Sequence, residues 1–315
     1  MTRQKIPSVL SLKKSKKRFI GSESFWCYLM LLLPITGFVV FQVYPVLWTF
    51  KWAFYSYSGV PSETRFVGLA NFKTMFSTDL TYWKSWGNTL LIAGLRIPVE
   101  IGLAMGLALI LNKKRKGSGF FQAMFYLPHI ISTAIIGLIV SSMFSYFGIV
   151  NGILVEFGLI DVGIDWFARR STALGMITFA STWAHFGVNV MYFLAAFANV
   201  PAELYECAGL DGASKSVTFF KITLPVIAPI FSTIMLLAIM RGLSMNELII
   251  ILTNGGPYGQ TNTVMSYLYT KFVPGFAEDN IQIGYGCAMS LITTILFSLI
   301  AVGYSRVNKW LKGLY

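Results

Sequence analysis

A chain of 315 residues that is 55% hydrophobic and 12% charged, with a mean hydropathy of +0.65, cannot cover its apolar surface as a soluble domain. Several of its apolar runs reach the roughly 20 residues that a helix needs to cross a bilayer, and the in–out alternation of a membrane β-barrel is absent. The net charge of +12 is gathered at the ends of these runs rather than interleaved with aromatics, which points to membrane orientation and away from nucleic acid.

Residues 1–22 read as a cytoplasmic basic tail lying on anionic headgroups: Arg3, Lys5, Lys13, Lys14, Lys16, Lys17 and Arg18 come before any acid. The apolar run that follows is too long for a signal peptide and lacks a small-residue cleavage site, so it is expected to stay as an anchor. Residues 23–315 are expected to form an all-α polytopic domain of six transmembrane helices, with its core at about 84–305. Span one covers about Phe25 to Phe50, kinked by Pro34 and Pro45, with Trp48, Trp52, Tyr55 and Tyr57 as an interfacial belt. An external segment to about Ser85 holds a short amphipathic helix near Phe66-Val67-Gly68-Leu69-Ala70-Asn71-Phe72.

Span two runs from about Trp86 to Leu111. Arg96 and Glu100 share one face at i,i+4 spacing, either as a self-neutralising pair or as a solute contact. Lys113-Lys114-Arg115-Lys116 and a glycine turn return the chain to the cytoplasm. Span three, about Phe120 to Phe147, is broken early at Leu127-Pro128-His129. Span four, about Thr172 to Val200, carries Trp183, His185, Asn189 and Tyr192. Span five, about Val226 to Leu252, carries Arg241, Asn246 and Glu247 in its outer half and ends at the turn Thr253-Asn254-Gly255-Gly256-Pro257. Span six covers about Ile283 to Val302, before a cytoplasmic tail at 306–312.

With the N-terminus inside, 16 of the 25 Lys and Arg fall in cytoplasmic segments and 7 in external ones, and Arg96 and Arg241 lie in spans. This asymmetry is what the positive-inside rule requires. It places both termini, and the polar island 201–225, in the cytoplasm. Cys27, Cys207 and Cys287 are too dispersed for a disulfide framework or a metal site. No phosphate-binding glycine loop, His-Glu-x-x-His or nucleophile elbow occurs, so the chain is not expected to be an enzyme.

The polar island has acids at Glu203, Glu206 and Asp211, glycines at Gly209 and Gly212, and a closing Leu224-Pro225. It is expected to form a short helix, a turn and a second helix ending at Pro225, and to serve as a docking surface for a partner protein. Glu206-Cys207-Ala208, then Gly212, then Ile222-x-Leu224-Pro225 resembles the E-A-A-x3-G-x9-I-x-L-P loop of permease subunits of binding-protein-dependent ABC importers, with Cys207 in place of the first alanine. The fuller string from Leu204 to Ala213 is similar to the carbohydrate branch, the maltose-type family. So are Gly68-Leu69-Ala70-Asn71-Phe72, Asn88-Thr89, Leu127-Pro128, Gly148-Ile149-Val150-Asn151 and Thr253-Asn254-Gly255-Gly256-Pro257. The resemblance extends from about residue 25 to the end.

The resemblance implies a type I importer fold in a bacterial-type cell membrane. Its expected partners are a second, homologous permease, two ATP-binding subunits that hold ATP and magnesium, an extracellular solute-binding protein and a carbohydrate solute. It implies ATPase coupling through Glu206, Ala208, Asp211, Gly212, Ile222, Leu224 and Pro225, and neither cofactor nor metal in this chain. Registration with the carbohydrate branch implies solute contacts at His129, Trp183, Ala184, His185, Val188, Ala238, Arg241, Gly242 and Met245. Each histidine has a second reading as an interhelical hydrogen-bonder, and Trp183 as packing.

Arg241 is expensive in hydrocarbon and needs an acid or an anionic solute. Glu247, six residues on, is on a poorly matched face. An acidic, uronate-containing oligosaccharide is therefore one expectation. A neutral oligosaccharide, with Arg241 paired to the partner permease, is another, and a glycerol-phosphate-type solute a third. An ion-coupled secondary transporter would need an intramembrane acid to carry the ion, whereas Glu100 already has Arg96, and it would leave the 201–225 motif unexplained.

Overall fold

The computed structural model describes residues 22–113, 116–273 and 281–312. Residues 1–21 of the expected basic tail, Lys114 and Arg115 of the expected basic turn, part of the expected last external segment (274–280), and 313–315 lie outside the described residues. The chain begins as α1 (Ser22–Phe38), widens into a π turn (Val39–Val43) and continues as α2 (Tyr44–Trp52). A proline has no N–H and its ring collides with the carbonyl four residues back. Here the residue before Pro45 bonds one position further back, Tyr44 N–H to the Val39 carbonyl, so the helix passes through the proline. Thr49 closes the first of two compact units, and the second begins at Phe50.

In the second unit, two-residue strands β1 (Tyr55–Ser56) and β2 (Arg65–Phe66) pair antiparallel, a small departure from the all-α expectation. Helix α3 (Ala70–Ser77) forms where a short helix was expected. Its motif works as a staple: Gly68 turns the chain at φ +57°, and Asn71 Nδ2 donates to the carbonyls of Ala53 and Tyr55 at 2.9 and 3.0 Å. Helix α4 (Leu80–Leu111) starts six residues before the expected Trp86, because Asp79 caps it by accepting from Tyr82 N–H at 2.9 Å.

Span three is broken as expected, into α5 (Ser118–Ile130) and α6 (Thr133–Met143), which meet at 96°. After α7 (Ile149–Glu156) comes α8 (Arg170–Ala198), then α9 (Ala202–Leu210) and α10 (Lys215–Thr218). A second π turn (Phe219–Thr223) leads into α11 (Leu224–Leu243). Leu224 N–H bonds back to the Phe219 carbonyl, as Tyr44 does before Pro45, so the second helix of the island does not end at Pro225. It runs straight into the next span.

Span five instead ends at Leu243. Ser244-Met245-Asn246 break the helix, Asn246 Oδ1 accepts from Glu247 N–H at 2.8 Å, and α12 (Glu247–Leu252) follows. After α13 (Val264–Phe272), α14 (Ile283–Lys312) is one helix that absorbs the expected tail at 306–312.

By length and hydropathy, four helices among the described residues can cross a membrane (Phe25–Trp52, Leu80–Leu111, Lys215–Leu243 and Ile283–Trp310), and the bent α5–α6 pair makes a fifth if it counts as one span. The expected sixth is α8. Its 29 residues reach about 43 Å at 1.5 Å per residue, but Thr178, Ser181, Thr182, His185 and Asn189 lower its hydropathy, and one side of it is buried in the bundle.

Three apolar clusters organise the second unit. The first joins α4 (Ala104, Ala108), α8 (Phe193, Ala196, Phe197) and α11 (Ile234, Ala238). The second joins α4, α6, α8 and α12. The third joins α3, α4, α13 and α14 around Met75, Tyr82 and Met289. Since lipid is as apolar as leucine, close helix approach depends on small residues. Ala104 and Ala108 on α4, and Ala238 and Gly242 on α11, repeat at i,i+4 and serve this purpose.

Candidate functional site

Three of the described helices meet at a buried polar network. Glu100 of α4 is fully buried and accepts from Arg96 Nε at 2.5 Å and from Asn189 Nδ2 of α8 at 2.6 Å. Asn189 Oδ1 accepts from Arg241 Nη2 of α11 at 2.8 Å, and the same Nη2 lies 3.6 Å from Glu100. The expected Arg96–Glu100 pair thus exists, but it is not closed on itself. Glu100 also serves Arg241, so the chain supplies the acid that Arg241 was expected to seek in a partner permease or a solute. One carboxylate then faces two guanidiniums. Arg96 Nη2 and Arg241 Nε are buried without a hydrogen-bond partner.

A cavity of about 210 Å³ opens beside this network. Its walls bring together Arg96 of α4, Thr133 of α6, His185 of α8, Arg241 of α11, and Ser244 to Leu248 at the α11–α12 break. Three of the expected solute residues line it: His185, Arg241 and Met245. His185 Nδ1 lies 3.1 Å from the Ser181 carbonyl, which can only accept, so Nδ1 carries the proton and Nε2 is left to accept. His129 of α5 is exposed, with its ring 5.9 Å from that of His185. The two histidines converge because α5 crosses α8 at Gly187, where a Cβ would stand 1.9 Å from the Phe125 carbonyl oxygen.

The other expected solute residues lie elsewhere. Ala238 is fully buried in the α4–α8–α11 cluster, and a Cβ on Gly242 would meet Ala93 Cβ of α4 at 3.2 Å. Both are packing positions, which is why they are small. Val188 and Ala184 are buried, and Trp183 packs half-buried against the second cluster. Glu247 lines the same cavity as Arg241, because the helix breaks between them, but it forms no ion pair among the described residues. Reading the sequence missed Asn189 as the link between the acid and Arg241. The available signal was the polar row Ser181, His185, Asn189 at i,i+4 on α8.

At the far end of α11 the island folds as α9, a turn and α10. Gly212 takes φ +70°, Ala213 N–H reaches the Ala208 carbonyl at 2.9 Å, and Gly212 N–H reaches that of Gly209 at 3.2 Å. This is the left-handed glycine closure of a helix. A Cβ on Gly212 would meet nothing within 4 Å, so this glycine serves the turn rather than a close approach inside the chain. Glu206, Asp211, Gly212 and Pro225 are exposed, Ile222 and Leu224 are half-buried, and Ala208 is buried. Tyr205 Oη and Thr223 Oγ1 are 3.1 Å apart, which ties α9 to the π turn at the foot of α11.

The remaining motifs are hydrogen-bonding staples. Asn88 Nδ2 donates to the carbonyls of Gln260 and Asn262 at 2.8 Å, and its Oδ1 accepts from Arg170 at 2.7 Å. This pins the loop containing Thr253 to Pro257. Asn151 donates to the carbonyls of Ser145, Tyr146 and Ile164 and accepts from Trp166 Nε1 at 3.0 Å.

Residues 100–312 match the family described as binding-protein-dependent transport system inner membrane component. The chain is 32% identical over 298 residues to the probable ABC transporter permease protein YesP of Bacillus subtilis, covering 94% of each. It is 29% identical over 293 residues to the multiple sugar-binding transport system permease protein MsmF of Streptococcus mutans, covering 91% of this chain and 96% of that one. A crystal structure of a bacterial ABC transporter involved in the import of the acidic polysaccharide alginate shares the fold, with a TM-score of 0.79 at 24% identity over 91% of this chain and 96% of that chain. The same transporter type in complex with alginate pentasaccharide-bound periplasmic protein also matches at 0.79, over 92% and 96%. The chain is a multi-pass membrane protein that belongs to the binding-protein-dependent inner membrane component family, as the permease subunit of a sugar ABC importer.

Proposed function

We propose that this permease moves its sugar by alternating access, driven by ATP hydrolysis in partner subunits that dock on residues 201–225. The observation that carries the reading is mechanical. The exposed Glu206 and Gly212 sit on a turn latched by Tyr205 to Thr223, at the foot of a helical run (215–243) whose other end presents Arg241 to the cavity. A displacement of the turn is thereby passed to a wall of the cavity. In this reading the turn and both termini are cytoplasmic, ATP and magnesium belong to the two ATP-binding subunits, and the cavity faces a second, homologous permease. The solute arrives on an extracellular binding protein, as in the pentasaccharide-bound complex of the alginate neighbour.

The solute is an acidic, uronate-containing oligosaccharide, because the network holds two cations against one buried carboxylate. Arg241's internal bond to Asn189 favours a second reading, a neutral oligosaccharide.

Docking is tested by purifying the permease with its ATPase. Gly212→Asp strains the φ +70° turn, and Glu206→Lys reverses the charge at the surface. Both variants should lose most of the co-purifying ATPase subunit and of the transport. Retention of both activities at wild-type level would refute the docking site.

A further inference from the structure

Arg96 had two expected roles, neutralising Glu100 or contacting the solute, and three observations favour the second. It is 1% exposed and lines the cavity, and while its Nε is bonded to Glu100, its Nη2 has no hydrogen-bond partner. Arg241 repeats the pattern, with Nη2 bonded to Asn189 and Nε unpartnered. A buried guanidinium N–H without an acceptor is rare and costly in a folded protein. Here two occur at one cavity, beside Glu100, the acid that both arginines share.

The geometry points to Arg96 and Arg241 acting together as a clamp for the carboxylate of a uronate unit of the solute, with Arg96 as a direct solute-binding residue. This rests on the acidic-sugar reading above. Both guanidiniums line the cavity and each keeps one N–H that no protein group accepts, a donor for each oxygen of a carboxylate once the wall opens to admit it. The anion supplies the charge that Glu100 alone cannot, since Glu100 is already committed to Arg96 and Asn189.

The cavity also fits in size and lining. At about 210 Å³ it is smaller than the roughly 300–1,000 Å³ of a drug-sized site, which suits a single saccharide unit. Glu247 and Asn246 line it as well. Glu247 disfavours a second anionic group there and offers acceptor oxygens to ring hydroxyls.

The test uses the whole importer, reconstituted in liposomes with its partner permease, ATPase and binding protein. Uptake of digalacturonate is compared with that of its neutral counterpart, galactobiose. Arg96→Lys keeps a cation opposite Glu100 but loses the second N–H of the fork. It should raise the KM for digalacturonate roughly ten- to hundredfold, the value of a charge-assisted hydrogen bond, with maximal rate retained. Arg96→Gln combined with Glu100→Gln removes one charge of each sign at nearly constant volume. It should give the same rise in digalacturonate KM and leave the galactobiose KM unchanged, with the maximal rate lowered for both sugars because Glu100 also holds α8 and α11.

An unchanged digalacturonate KM in both variants overturns the role of Arg96 and leaves the acidic-sugar reading standing. An equal rise in KM for both sugars, or failure of both variants to assemble with the ATPase, assigns Arg96 to helix packing and also overturns the clamp. Absence of digalacturonate uptake by the wild type overturns the acidic-sugar reading itself.

Discussion

Glu100→Ala is expected to be among the most destabilising single substitutions in this chain. Glu100 is fully buried and holds Arg96 at 2.5 Å, Asn189 at 2.6 Å and Arg241 at 3.6 Å, so its loss unpins α4, α8 and α11 together. It also leaves two guanidiniums close together in the bundle without an acid. Removing one partner of a buried ion pair costs about 3–5 kcal/mol. Denaturation of the purified complex in detergent should show a loss of that order. The variant combining Arg96→Met with Glu100→Leu should lose less, because Arg241 keeps Asn189 and only one cation remains. A single variant as stable as the wild type would mean that the network does not hold the helices together.

Gly187→Ala should be nearly as damaging, for a steric reason. The new Cβ would stand 1.9 Å from the Phe125 carbonyl oxygen and 3.1 Å from Tyr126 Cα, and backbone cannot swing aside as a side chain can. Helix α5 must therefore lift off α8, at about 1–3 kcal/mol for overpacking. His129 leaves His185 as it does so. Transport should fall sharply and the melting temperature should drop. Gly175→Ala is the matched control on the same helix, since its Cβ would meet nothing within 4 Å. It should be neutral or slightly stabilising, because alanine is the better helix former. Equal behaviour of the two variants would contradict the close α5–α8 crossing.

The parts of this molecule that could be read from its sequence are those encoded over short spans. Spacing within 201–225 identified the helix–turn–helix, and i,i+4 spacing paired Arg96 with Glu100. Leu127-Pro128 announced the break that opens at Ile131. What escaped was set by contacts distant in the chain. Glu100 meets Asn189 and Asn189 meets Arg241 across separations of 89 and 52 residues, and no local pattern encodes such pairings. Ala238 and Gly242 were placed at the cavity by registration with the carbohydrate branch, and a small residue there is compatible with open space and with close packing alike. The nearness of Ala93 decides it for Gly242, and full burial among α4 and α8 decides it for Ala238.

Proline misled for a different reason. Pro225 was expected to stop a helix, but a single bond lengthened by one residue, from Leu224 to Phe219, lets the helix continue. The stop came instead at Ser244-Met245-Asn246, which has neither proline nor glycine, and Asn246 marks it by capping α12.

If residues 201–225 face the cytoplasm and are covered by the ATPase, as proposed, the chain carries a native reporter of it. Cys207 lies exposed on α9, Cys27 is the other exposed cysteine among the described residues, and Cys287 is buried. With Cys27→Ser in place, a membrane-impermeant maleimide can be presented to right-side-out and inverted vesicles, with and without the ATPase subunits. Cys207 is expected to be labelled only in inverted vesicles, and its labelling to slow strongly once the ATPase is bound. Labelling from the outer face, or an equal rate with and without bound ATPase, would contradict it.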